Sequence, residues 1–188
     1  MEELQPITPP KRKKTLKYVA IAIGVIIAAT IIAAIVSQTC FTTYIVEGQS
    51  MNPTLDGGTS DPYDGEKLIL NIVATPKVGD IVVFKPSTWS SYKDKALVKR
   101  VIAVGGDTIY IKSNKVYVND AVIDEPYIMP NSIMEDMAKI SLKEDEFFCM
   151  GDNINNSHDC RFESPITKDM IIGRCWLIKS PNNKLRKP

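Results

Sequence analysis

From Tyr18 to Val36 the chain reads YVAIAIGVIIAATIIAAIV, nineteen residues without a charge. As an α-helix such a run spans about 28 Å, close to the ~30 Å hydrocarbon core of a bilayer. A soluble helix that is apolar on every side needs a large protein around it, and only about 145 residues follow. The run is therefore read as a transmembrane helix over residues 18–38. Lys11, Arg12, Lys13, Lys14 and Lys17 precede it, and the next basic residue is Lys67. That asymmetry places a basic tail, 1–17, in the cytoplasm and residues 39–188 outside it. A cleaved signal peptide is the rival reading, since Ala33, Ala34 and Ser37 are small, but its apolar region is typically about 7–15 residues. SQTC at 37–40 lacks the small-residue pattern of a lipid acceptor, so Cys40 is not read as lipidated.

Charge adds an exclusion. Lys plus Arg is 23 and Asp plus Glu is 22, which suggests no polyanionic partner, and no nucleic acid is expected. Cys40, Cys149, Cys160 and Cys175 form no CxxC pair, and with one histidine in the chain a zinc site is not expected. An exterior location permits disulfides. Cys149–Cys175 is conceivable if their strands are neighbours, and free buried thiols remain equally open.

The exterior part is rich in short β patterns bounded by Gly, Pro, Asn and Asp. KLILNIV (67–73), IVVFK (81–85), ALVKRVIAV (96–104), FFCM (147–150) and IIGRCWLI (171–178) read as strands. TIYIKSNKVYVND (108–120) alternates on both sides of Ser113-Asn114, a two-residue hairpin signal. DGGTSDPYDGE (56–66) reads as a turn-like, mobile stretch, and MPNSIMEDMAKISLKE (129–144) fits a short helix or an irregular loop. The expected fold is mostly β: an N-terminal transmembrane helix followed by an exterior, antiparallel β domain of the size of one folding unit.

The chemistry offers few players. His158 is the only histidine, in the polar loop NSHDCR, and its ordinary reading is a surface residue. A serine nucleophile can use a lysine base instead. Such a lysine must be neutral, yet its free pKa is near 10.4, and burial is what lowers it. Side chains alternate along a strand, so Leu97, Lys99, Val101 and Ala103 share one face while Val98, Arg100 and Ile102 point away. Lys99 thus sits among apolar groups, although an edge-strand lysine reaching water fits the same pattern. Ser50 lies in VEGQSMNPTL (46–55), between a permissive Gly48 and a stiff Pro53. Gly48 has no side chain, so an oxyanion donor there has to be backbone N–H, including that of Ser50. Most loop serines do nothing chemical. In GDNINNSHDCRFESP (151–165), Asp159 and Arg161 are spaced to lie on one side of an extended chain. That loop reads either as one braced by an ion pair or as one whose Ser157 also orients a lysine amine.

Together the basic tail, the single span, QSMNPTL, VGDIVVFK, VKRVIAVGGD and GDNINNSHDCR, in that order, resemble the bacterial type I signal peptidases in their compact, single-span form. The resemblance implies coiled antiparallel β-sheets, Ser50 as nucleophile and Lys99 as general base. It implies Ser157, Asp159, Arg161 and Gly48 as supporting residues, with Val46, Met51, Leu55, Leu97 and Val98 lining pockets for small substrate residues. It further implies signal peptides of exported preproteins as substrates, the lipid bilayer as a partner, no cofactor, no metal, and a monomer in the bacterial cell membrane. About ten residues between span and Ser50 would keep the nucleophile near the outer surface, where a signal peptide's cleavage site emerges. A self-cleaving Ser/Lys regulator or a pilus- or sortase-linked accessory peptidase or chaperone are the alternatives. The chain departs from the family pattern at Cys160, where serine is usual, at Ser164 for glycine, at Ile154 for arginine, and in the longer 56–66 link.

Overall fold

A computed structural model describes residues 12–58, 64–129 and 131–188. Its contacts divide the chain between Thr39 and Cys40 into two compact units. The first contains one helix, α1 (Arg12–Cys40), whose stretch Leu16–Cys40 is long and apolar enough to cross a membrane. Its isoleucines and valines are exposed on all sides, so it has no polar face to offer water. The basic tail as far as Lys11 lies outside the described residues.

The second unit is β. Its strands are β1 (Phe41–Ile45), β2 (Lys67–Asn71), β3 (Ile81–Phe84), β4 (Leu97–Val104), β5 (Thr108–Lys112), β6 (Lys115–Val118), β7 (Ala121–Val122), β8 (Met137–Ser141), β9 (Glu146–Met150), β10 (Ile166–Thr167), β11 (Ile171–Lys179) and β12 (Leu185–Arg186). The larger sheet runs β1-β2-β11-β3-β4-β9-β10, with β12 paired to β11, and a smaller sheet runs β7-β6-β5-β8. Neighbouring strands pair antiparallel throughout.

β3 shows why the larger sheet has two cores. Its four residues IVVF are all buried, the mark of a central strand covered on both faces. Val82 and Phe84 join one apolar cluster with Trp89, Val101, Phe148 and Cys149, while Ile81 and Val83 join another with Val46, Leu55, Leu68 and Leu70. A register irregularity between Val101 and Ala103, where β4 meets β9, lets Ile102 join the first cluster as well. The expected hairpin is present: Lys112 faces Lys115, and Ser113 and Asn114 take φ of 49° and 61°, the left-handed pair that a two-residue turn requires.

Several expectations need correcting. The 129–144 window is neither helix nor merely loop, because Met137–Ser141 forms β8 on the free edge of β5, with Ile109 opposite Ile140. Unpaired backbone groups along that edge outweigh the helical preference of Met, Ala and Lys. β1 was not among the expected strands; FTTYI follows directly on the apolar helix and shares its lack of charge. Of the 56–66 link, residues 59–63 lie outside the described residues, but its ends are bridged: Glu66 N–H donates to Asp56 O at 2.9 Å, and Asp56 N–H to Glu66 Oε2 at 3.2 Å. Cys149 on β9 and Cys175 on β11 are not on neighbouring strands, and both, like Cys160, are free thiols.

Asn114 ties the hairpin to the approach to β8. Its Nδ2 donates to Ser132 O at 3.0 Å, and its Oδ1 accepts from Met134 N–H at 2.7 Å. Asn114→Ala is expected to lower stability by about 1–3 kcal/mol, from two lost hydrogen bonds plus a Cβ residue at positive φ. Asn114→Gly keeps the turn and should fall between wild type and alanine in urea unfolding.

Candidate active site

Ser50 sits in a tight turn shortly after β1. Gly48 has φ +76°, a left-handed conformation that glycine adopts without strain. Asn52 N–H donates to Gln49 O and Leu55 N–H to Met51 O, which closes the turn over residues 49–55. The neighbouring loop holds it from the side. Asn153 N–H donates to Ser50 O at 3.1 Å, and Asn153 Nδ2 to Gln49 O at 3.0 Å. Gly151 makes that approach feasible, since a Cβ there would lie 2.4 Å from Ser50 O and 2.3 Å from Ser157 Oγ.

Lys99 is the third residue of β4, opposite Val82 on β3, and is only 3% exposed. The alternation read from the sequence holds: its face is that of Val82 and Val101, above Cys149 and Cys160. Its Nζ donates to Ser50 Oγ at 2.7 Å. Burial pushes the amine down from 10.5 to about 8, against the pull of Asp159, which favours the cation, and with the help of Arg161, which disfavours it. The two thiols beneath are raised by burial, Cys160 to about 12, and so stay neutral.

Two buried ion pairs flank the contact. Asp159 accepts from Gly151 N–H (2.9 Å), Ser157 Oγ (2.7 Å), and the Nε and Nη2 of Arg161 (2.8 and 2.9 Å). Arg161 Nη2 also reaches the carbonyls of Ile154 and Ser157, so one guanidinium binds the loop together. The ion pair expected between Asp159 and Arg161 is thus formed. Ser157, expected to orient the amine, donates its hydroxyl to Asp159.

Sequence reasoning missed the second pair. Arg100 points away from Lys99, as alternation requires, yet it is buried and grips Asp152 through Nε (2.9 Å) and Nη2 (2.6 Å). Its Nη1 donates to Gly79 O, and its guanidinium lies 4.1 Å from the centre of the Tyr127 ring. Val98 and Ile102 on the same nominal face were the signal that Arg100 needed a buried carboxylate partner.

Two cavities meet at this pair. One, of about 500 Å³, is lined by Val46, Met51, Leu97 and Val98 with Ser50 and Lys99. The other, of about 420 Å³, shares Ser50, Lys99 and Leu97 and is walled by Tyr92 and the 155–158 loop. Leu55, expected to line a pocket, is instead fully buried in the core below. Among the described residues no cluster of His, Cys, Asp or Glu could hold a metal ion.

A hydroxyl 2.7 Å from a buried amine whose pKa is lowered to about 8 has the geometry that a nucleophile and its base would need. Residues 17–178 match the family described as signal peptidase, peptidase S26, and the chain belongs to that family of serine peptidases. It is 31% identical to signal peptidase I of Bacillus amyloliquefaciens, over 86% of this chain and 88% of that one. It is also 31% identical to signal peptidase I T of Bacillus subtilis (strain 168), over 94% and 92%. A crystal structure of a signal peptidase I from Enterococcus faecalis V583 is 21% identical, with a TM-score of 0.46 over 54% of this chain and 97% of its own.

The lowered pKa of Lys99 has a consequence for stability. Unfolded, the amine titrates near 10.4, and folded near 8, so the unfolded state binds the extra proton between those values and stability rises with pH across them. Below about 8 the fold carries the full cost of a buried cation. Lys99→Met should therefore melt above wild type at pH 7, with the gap closing towards pH 10. Gly151→Ala should melt lower than wild type and lose at least about tenfold in peptidase activity, because its Cβ separates the two loops.

Proposed function

We propose that this chain is a membrane-anchored endopeptidase that removes signal peptides from exported preproteins, with Ser50 as nucleophile and Lys99 as general base. The observation that carries the reading is the 2.7 Å contact between a buried amine and a loop hydroxyl. Neutral Lys99 takes the Ser50 proton as Oγ attacks the scissile carbonyl, and returns it to the leaving amine. The acyl-enzyme is then hydrolysed by water activated by the same lysine. The Ser50 N–H, which has no acceptor among the described residues, is available to the oxyanion. Asp159 and Arg161 hold the 151–161 loop, and through Asn153 and Gly151 that loop holds the serine turn.

Val46, Met51, Leu97 and Val98 form the wall against which small residues before the cut would pack. α1 crosses the bacterial cell membrane once, with the basic tail inside and the β unit outside, and the chain acts as a monomer on substrates held in the same bilayer. Sharing one plane with the substrate raises the encounter rate and restricts orientation.

Ser50→Ala and Lys99→Ala should each lower kcat/KM on a preprotein in detergent by at least about 10³-fold. For wild type, kcat/KM should climb about tenfold per pH unit below about 8 and level off above it, as the fraction of neutral Lys99 does. Near-native turnover by Lys99→Ala would sink the assignment. Cleavage confined to its own chain would instead favour the self-processing regulator.

A further inference from the structure

The second cavity is bordered by an aromatic cluster that the mechanism leaves unused. The His158 ring stacks on Tyr92 with centroids 5.2 Å apart and on Phe162 at 5.6 Å, and the Trp89 ring meets it edge-on at 6.3 Å. The cluster is anchored on both sides: His158 Nε2 lies 2.9 Å from Glu163 Oε1, and Trp89 Nε1 donates to Ser164 O at 3.0 Å. Backbone bonds from Tyr92 N–H to Trp89 O and from Lys95 N–H to Tyr92 O fix the turn that presents the tyrosine. Trp89 is buried, Tyr92 is half-buried, and His158 and Phe162 are exposed. Aromatic surface that is both accessible and already ordered gives contact area to a ligand at little entropic cost.

Position decides which ligand. Ser50 and Lys99 line both cavities, so a peptide whose scissile bond lies at Ser50 Oγ extends into each. The acyl half stays on Ser50 against Val46, Met51 and Leu97. The half that leaves with the amine must then run past the other wall, where Tyr92 and His158 stand. Resting on the Ser50–Lys99 reading, we propose that this second cavity receives the first residues after the cut. Tyr92, backed by His158, favours an aromatic side chain at the first or second of them.

The test uses three peptides identical up to the cut, with Ala-Ala, Phe-Ala or Ala-Phe following it, and full-length enzyme in detergent. Wild type should cleave one phenylalanine peptide with kcat/KM about 3–10-fold above the Ala-Ala peptide, the range expected for one aromatic contact. Tyr92→Ala should bring that ratio to about one, and Tyr92→Phe should keep it. His158→Ala, which removes the ring behind the tyrosine, should reduce it, and melting curves establish that each variant is folded. Equal rates in wild type, or a ratio that survives in Tyr92→Ala and His158→Ala alike, overturn the proposal while leaving the catalytic pair standing, provided that Ser50→Ala is inactive. Cleavage that persists in Ser50→Ala overturns the nucleophile and this proposal together.

Discussion

Lys99 donates to Ser50 at 2.7 Å from a position only 3% exposed, and that burial sets terms for everything around it. An amine in water stays charged to beyond pH 10 and accepts nothing. An amine taken out of water must be surrounded by groups that do not restore its charge. The carboxylate that acts on it, Asp159, favours the cation, and its own needs explain the rest of the loop. Arg161 saturates it, Ser157 and the Gly151 N–H complete its hydrogen bonds, and the guanidinium disfavours the lysine cation in its own right. The pair braces the loop while Arg161 offsets part of the pull of Asp159 on Lys99. A lone aspartate would brace the loop and pull Lys99 further towards its cation.

The same logic applies on the opposite face of β4. Consecutive basic residues on one strand, both buried, demand opposite treatments. Lys99 has no carboxylate hydrogen bond among the described residues and its pKa is lowered, whereas Arg100 cannot lose its proton and is matched by Asp152 in a two-point contact. Asp152 and Asn153 are adjacent, so the residue that neutralises Arg100 is followed by the one that holds the Ser50 turn. Strand, loop and the Ser50 turn are in this way fixed relative to one another through side chains far apart in sequence.

That distance explains what could be read from the sequence and what could not. Period-two patterning revealed the face of Lys99, the hairpin at Ser113-Asn114 and five of the strands, since each depends on residues a few positions apart. It missed β8, whose existence depends on the edge that β5 leaves free, and β1, hidden by the apolar run before it. Arg100–Asp152 spans 52 positions, so the apolar neighbours of Arg100 signal a buried partner without identifying it; the close approach that excludes a side chain at Gly151 involves Ser50, 101 positions away, and leaves no local trace. Leu55 shows the limit of pattern even close to the site. An apolar residue close to Ser50 is as suited to the core beneath as to the pocket wall, and depth is not written in spacing.

The three departures in the 151–165 loop fall where the fold can absorb them. Ile154 is buried in the main core and serves the loop through its carbonyl, which accepts from Arg161 whatever its side chain. Ser164 likewise contributes its carbonyl, to Trp89. Cys160 packs in the core, its sulfur accepting from Cys149 N–H at 3.3 Å, and burial keeps it a neutral thiol beneath Lys99. A thiolate in that place would hold the amine charged; a neutral sulfur leaves it free to titrate. The side chains at these three positions thus bring no charge to Lys99, while the groups that set the loop's shape are backbone carbonyls and the Asp159–Arg161 pair.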